Sequence, residues 1–128
     1  MVEGFFEGMK NATLTDMPAL LRTAYLQVAA QKEQLQVKFD KDKERMLAFK
    51  DMSDEALRSI NAATLLMADD RDVVTLEHMV HMHRLIAGSR LVILPGNHGS
   101  FIGELSALES DSRPPGIAAA LVKEFLSC

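Results

Sequence analysis

At 128 residues the chain is long enough for one domain with a real core. Its net charge of −4 and its composition are ordinary for a globular protein, and no basic patch points to nucleic acid. Nothing approaches a membrane-spanning length and the start lacks a signal peptide's basic and apolar regions, so a cytoplasmic protein without membrane contact is expected.

Met1 to Lys10 is apolar and broken by glycine, with Phe5, Phe6 and Met9 placed for one turn of helix with a buried edge. Asn11 to Thr15 reads as a loop. Asp16 is placed to cap a helix with Pro18 in its first turn, where a missing N–H costs nothing. Leu20, Leu21, Ala24 and Val28 recur at helical spacing and carry that helix to about Ala30. A second helix is predicted from Glu33 to Phe49, burying Leu35, Phe39, Met46 and Phe49. Its lysines alternate with Asp40, Asp42 and Glu44, which makes a solvated face rather than a phosphate-binding stripe. Ser53, followed by Asp54 and Glu55, caps a short third helix.

Thr64 to Met67 is a short apolar run ending in Asp69, Asp70, Arg71 and Asp72. Consecutive apolar residues predict a parallel strand buried on both faces. Thr75 then caps a helix with Met79, Met82 and Ile86 as its apolar stripe and Gly88 as its left-handed stop. A second strand from Arg90 to Leu94 ends in the turn Pro95-Gly96-Asn97-His98-Gly99. A helix between two strands makes them parallel neighbours, and both polar clusters then lie at the carboxyl edge, where sites in α/β sheets collect. Gly103 to Arg113, with Ser106, Ser110, Asp111 and Ser112, reads as a surface loop or helical turn. Pro114-Pro115 opens a last helix whose Ile117, Leu121 and Phe125 are expected to face the sheet.

Ala-Asp-Asp-Arg-Asp-Val-Val-Thr, then a helix, then Leu-Val-Ile-Leu-Pro-Gly-Asn-His-Gly resembles the C-terminal half of the α/β-hydrolase fold, most clearly from Ser59 to Glu104. The resemblance implies that Asp72 is the acid and His98 the base of a catalytic triad, with Asp70 as the fallback acid. Asp69 stands where the family has glycine. It also implies an α/β fold in two parts: a helical lid over residues 1–60, and over residues 61–128 the last two parallel strands of the hydrolase core. In the family the imidazole takes the serine proton and the carboxylate orients the imidazole.

The family order is nucleophile, acid, histidine, which places a Gly-x-Ser-x-Gly turn upstream of Asp72. The chain contains none: Ser53 and Ser59 lie in polar helical surroundings, and Ser100 has the wrong spacing and place. The chain is therefore expected to be an esterase-like serine hydrolase fragment, inactive alone. It would act on a small ester-like molecule only when completed by an N-terminal half. The alternative is a non-catalytic module whose open sheet edge pairs with a second copy or a complementing chain. An unrelated small α/β fold ranks behind both. Neither a cofactor nor a metal is expected. His78, His81 and His83 read as solvent-facing residues of the crossover helix, because residues two apart do not share a helix face. The single cysteine, Cys128, cannot form an internal disulfide and reads as an exposed, incidental thiol.

Overall fold

The computed structural model describes residues 1–104 and 114–127. The expected loop positions Ser106, Ser110, Asp111 and Ser112, and the Cys128 thiol, lie outside the described residues. The chain divides into two compact units, Val2–Asp51 and the part from Met52 on.

The first unit holds helices α1 (Phe5–Asn11), α2 (Ala19–Val28) and α3 (Leu35–Leu47). Both α1 and α2 pack on α3, and Lys43 Nζ donates to the carbonyl of Ala12 at 2.7 Å. Asp16 does not cap α2. It belongs to a 3-10 turn, Leu14–Asp16, where its Oδ2 accepts the backbone N–H of Thr13 at 2.8 Å. Pro18 forces Met17 into an extended conformation, so the helix begins one residue later, at Ala19. α3 likewise starts after a 3-10 turn, Lys32–Gln34, and stops at Leu47. Leu35 is buried and Phe39 and Met46 are half-buried, as expected, but Phe49 lies beyond the helix end and is 50% exposed.

The second unit is α/β. It comprises α4 (Asp54–Arg58), β1 (Leu65–Arg71), α5 (Leu76–Leu85), β2 (Arg90–Asn97), a 3-10 turn at Ser100–Ile102 and α6 (Pro114–Leu126). The strands are parallel neighbours, in register from Leu65 opposite Arg90 to Asp69 opposite Leu94, with an irregularity before Arg71 pairs with Asn97. Both strands run further than the apolar runs predict. Asp69, Asp70 and Arg71 extend β1, and Pro95, Gly96 and Asn97 extend β2. Proline is tolerated there because Arg90 N–H donates to Thr64 O at 2.9 Å, and strand amides alternate in direction. The nitrogen of Pro95 therefore faces away from β1, towards the edge left unpaired among the described residues, and no bond of the β1–β2 ladder is lost.

Leu66 and Ala68 point to one face and pack with Met79 and Ile86 from the α5 side and Leu57 of α4 to form the core. Ser53 and Thr75 cap α4 and α5 as expected, accepting from Ala56 N–H at 3.2 Å and His78 N–H at 3.4 Å. On the other face of β1, Leu65 and Met67 are only half-buried, so that strand is not enclosed on both sides. Gly88 serves a turn rather than the helix end. α5 stops at Leu85, and Gly88 at φ 70° lies within the turn closed by Ser89 N–H to Ile86 O at 3.1 Å. α6 packs on β2 and on the 3-10 turn. Ala118 is buried and Leu121 and Phe125 half-buried, whereas Ile117 is 51% exposed, one position off that stripe.

Candidate acid–base site

The carboxyl ends of β1 and β2 lie side by side because the strands are parallel and in register, so residues just past each end are neighbours. Asp72 follows β1 directly. Its Oδ1 accepts the backbone N–H of Val73 at 2.6 Å and of Val74 at 3.4 Å, and its side chain is 8% exposed. The carboxylate is thus fixed by its own turn before any other group reaches it. His98 follows β2 directly and precedes Gly99, whose φ of 77° turns the chain.

His98 Nδ1 lies 2.7 Å from Asp72 Oδ1. A carboxylate only accepts, so Nδ1 carries the proton and donates. In the neutral ring Nε2 then holds a lone pair. The histidine side chain is 66% exposed, and Nε2 makes no hydrogen bond among the described residues. This arrangement is an oriented imidazole presenting a basic nitrogen outward, with a buried carboxylate behind it.

Asp70 is not bonded to His98. Its Oδ1 accepts Gly96 N–H at 2.9 Å and ties the two strand ends together. Asp70, Arg71, Pro95, Gly96 and Asn97 line a shallow depression of about 240 Å³ at the same edge.

Among the described residues the serines near these strands are otherwise engaged. Ser53 caps α4, Ser59 Oγ donates to Ala56 O at 2.7 Å, and Ser100 Oγ accepts Asn97 N–H at 2.9 Å. Ser89 Oγ lies 2.9 Å from His83 Nδ1, yet its own proton goes to His83 O at 3.1 Å. That pair latches the end of α5 and does not activate a hydroxyl. Among the described residues no hydroxyl or thiol hydrogen-bonds His98.

The three helix histidines differ from one another. His81 is exposed and bonds Asp54 Oδ1 at 3.0 Å through Nε2, whereas His78 and His83 are half-buried rather than solvent-facing. Among the described residues no three His, Cys, Asp or Glu side chains converge on a metal position. No described helix is long and apolar enough to cross a membrane.

The sequence marks Asp69 only as standing where the family has glycine, and does not reveal its burial or its bond to the histidine turn. The Asp69 side chain is fully buried, its Oδ2 accepts Ser100 N–H at 3.0 Å, and its Oδ1 has no partner among the described residues. Burial pushes its pKa above the usual carboxylate value, against the pull of the Phe101 and Ser100 N–H groups. The available signal was an acid continuing an apolar strand, together with the small residues Gly96 and Ser100 on the neighbouring segment. No protein-family model matches the chain, and neither does any curated protein or any solved structure.

Proposed function

We propose that this chain supplies the acid and the base of a Ser-Asp-His hydrolase of the α/β-hydrolase type, with the nucleophilic serine coming from polypeptide outside it. The observation that carries this reading is the 2.7 Å bond from His98 Nδ1 to the buried Asp72 carboxylate, at the carboxyl edge of a parallel strand pair. In that role His98 Nε2 takes the serine proton during attack on an ester-like carbonyl and returns it to the leaving alcohol. Asp72 holds the tautomer and stabilises the imidazolium. With no serine against His98 among the described residues, the reading expects the chain alone to be inactive by this mechanism. In this reading the helical segment over residues 1–60 corresponds to the family's lid. The single cysteine suits a reducing compartment such as the cytoplasm.

Two features favour completion by more protein. Among the described residues the two-stranded sheet leaves both outer edges unpaired. The helix α6 is apolar nearly all round, with Ile117, Val122 and Leu126 exposed, as suits a helix covered by further structure. The same open edge favours a second reading, a non-catalytic module that pairs with its own copy.

The test is to sequence the locus upstream of the Met1 codon, express the longest in-frame product and treat it with a fluorophosphonate. The hydrolase reading expects a Gly-x-Ser-x-Gly serine that is labelled, at a rate lowered at least about 100-fold by His98→Ala. Labelling indifferent to His98 sinks it, as does robust esterase activity of the present chain that is lost in His98→Ala. An upstream stop codon together with a discrete homodimer in sedimentation decides for the second reading.

A further inference from the structure

We propose that Asp69 is a positioning residue for the His98–Asp72 pair: from within β1, its buried carboxylate holds the turn that carries His98 by accepting the backbone N–H of Ser100. The proposal rests on reading His98 and Asp72 as an acid–base pair.

His98 is an exposed side chain held, among the described residues, by one side-chain bond, the one to Asp72. Such a bond cannot hold a ring in a fixed geometry if the backbone beneath it moves, so the turn needs support from below. Asp69 supplies it across 31 residues of sequence, with Oδ2 3.0 Å from Ser100 N. Ser100 passes the restraint on, its Oγ accepting Asn97 N–H at 2.9 Å. His98 therefore sits inside a short loop closed at both ends, Asn97 and Ser100, with Asp69 fastening the closure to β1.

The surroundings are shaped to admit the carboxylate. A Cβ on Gly96 would lie 2.8 Å from Asp69 Oδ1 and 3.0 Å from Ser100 Oγ, so the strand omits a side chain where Asp69 reaches through. Gly99 is constrained too, since a Cβ there would lie 2.6 Å from Glu104 Cβ. An interior carboxylate with one oxygen unpartnered among the described residues is a poor choice for stability alone, where an apolar residue of similar size serves better. Its presence is accounted for by the acceptor it offers to the histidine turn.

The test uses the whole ¹⁵N-labelled chain and reads the ring nitrogens of His98 by NMR. A carboxylate-bound Nδ1–H gives a single-tautomer ¹⁵N pattern and a downfield proton resonance, which Asp72→Asn should abolish. Asp69→Ala and Gly96→Ala are expected to lose that signature and give the mixed-tautomer pattern of a free histidine. His78, His81 and His83 should stay unchanged in both. Asp69→Asn, which keeps an acceptor for Ser100 N–H, is expected to retain it, and a merely space-filling role predicts no such rescue. Retention of the signature in Asp69→Ala or Gly96→Ala overturns the proposal, and so does its loss in Asp69→Asn. If Asp69→Ala does not fold, Gly96→Ala and Asp69→Asn decide. A wild-type chain without the signature overturns the pair itself. A chain that has it, but whose extended form is not labelled by fluorophosphonate, overturns only the hydrolase reading.

Discussion

Gly96 and Asp69 are fitted to each other across the two strands, so closely that a Cβ on Gly96 would stand 2.8 Å from Asp69 Oδ1 and 2.8 Å from Ser100 Cβ. The fit comes from steric approach alone, since Gly96 is not among the glycines with positive φ. Gly96→Ala should therefore behave as overpacking and destabilise the protein by about 1–3 kcal/mol in urea unfolding. The same substitution at Gly8, inside α1 with nothing within 4 Å of an added Cβ, should have the opposite sign. There it removes backbone freedom from the unfolded chain and stabilises by up to about 1 kcal/mol.

Asp69 should leave a mark on the pH dependence of stability. Burial raises its pKa from 3.8, and the nearby charges of Asp72 and Asp70 add to the rise. The folded protein then holds this proton more tightly than the unfolded chain does. The stability contributed is fully present below about 3.8 and is lost as pH rises through the folded value. Asp69→Asn cannot titrate, so thermal melts from about pH 4 to 7 should show a smaller decline in this variant than in the wild type. Equal slopes in the two proteins would contradict the assignment.

Asp54 works in the other direction. The hydrogen bond from His81 lowers its pKa first and foremost, with the charges of His81 and Arg58 contributing less. The folded state therefore favours the carboxylate, and its contribution is present above 3.8 and fades as pH falls through the lower folded value. His81→Ala should remove most of this and flatten the acid limb of the stability profile. The change should be small, because both side chains are open to solvent. Comparing Tm at pH 3 and pH 6 for the two proteins measures it.

The order α4, β1, α5, β2, α6 and the parallel pairing were readable from apolar runs, caps and the length of the crossover. The placing of the acidic cluster beside His98 was readable too, because turns after adjacent parallel strands lie at one edge, but Asp72 rather than Asp70 was singled out only by the family resemblance. Strand ends were not readable. Hydrophobicity stops at Ala68 and at Leu94, but the ladder continues through Asp69 to Arg71 and Pro95 to Asn97, where side chains and open edges decide what is tolerated. Asp16 failed as a cap signal because the competing partner, Thr13, lies only three residues away. Asp69 read as part of an acidic turn, since its place directly after an apolar run does not by itself distinguish a buried acid from a solvated one. Its acceptor role depends on Ser100, which the fold alone brings close.

Ile86 and Ile117 offer the same chemical deletion in two settings. Ile86 is 2% exposed in the core with Leu57, Leu66, Ala68 and Met79, whereas Ile117 lies on the outer side of α6 at 51%. Ile86→Ala should cost about 2–5 kcal/mol, the transfer term plus the cavity left behind. Ile117→Ala should stay within about 0.5 kcal/mol if that face meets only water. Urea unfolding of both variants, at two protein concentrations, makes the comparison. A large loss at Ile117 would mean that the outer face of α6 is covered in solution. Concentration dependence of that loss would point to a second copy of the chain as the cover, and so to the dimeric module over the completed hydrolase.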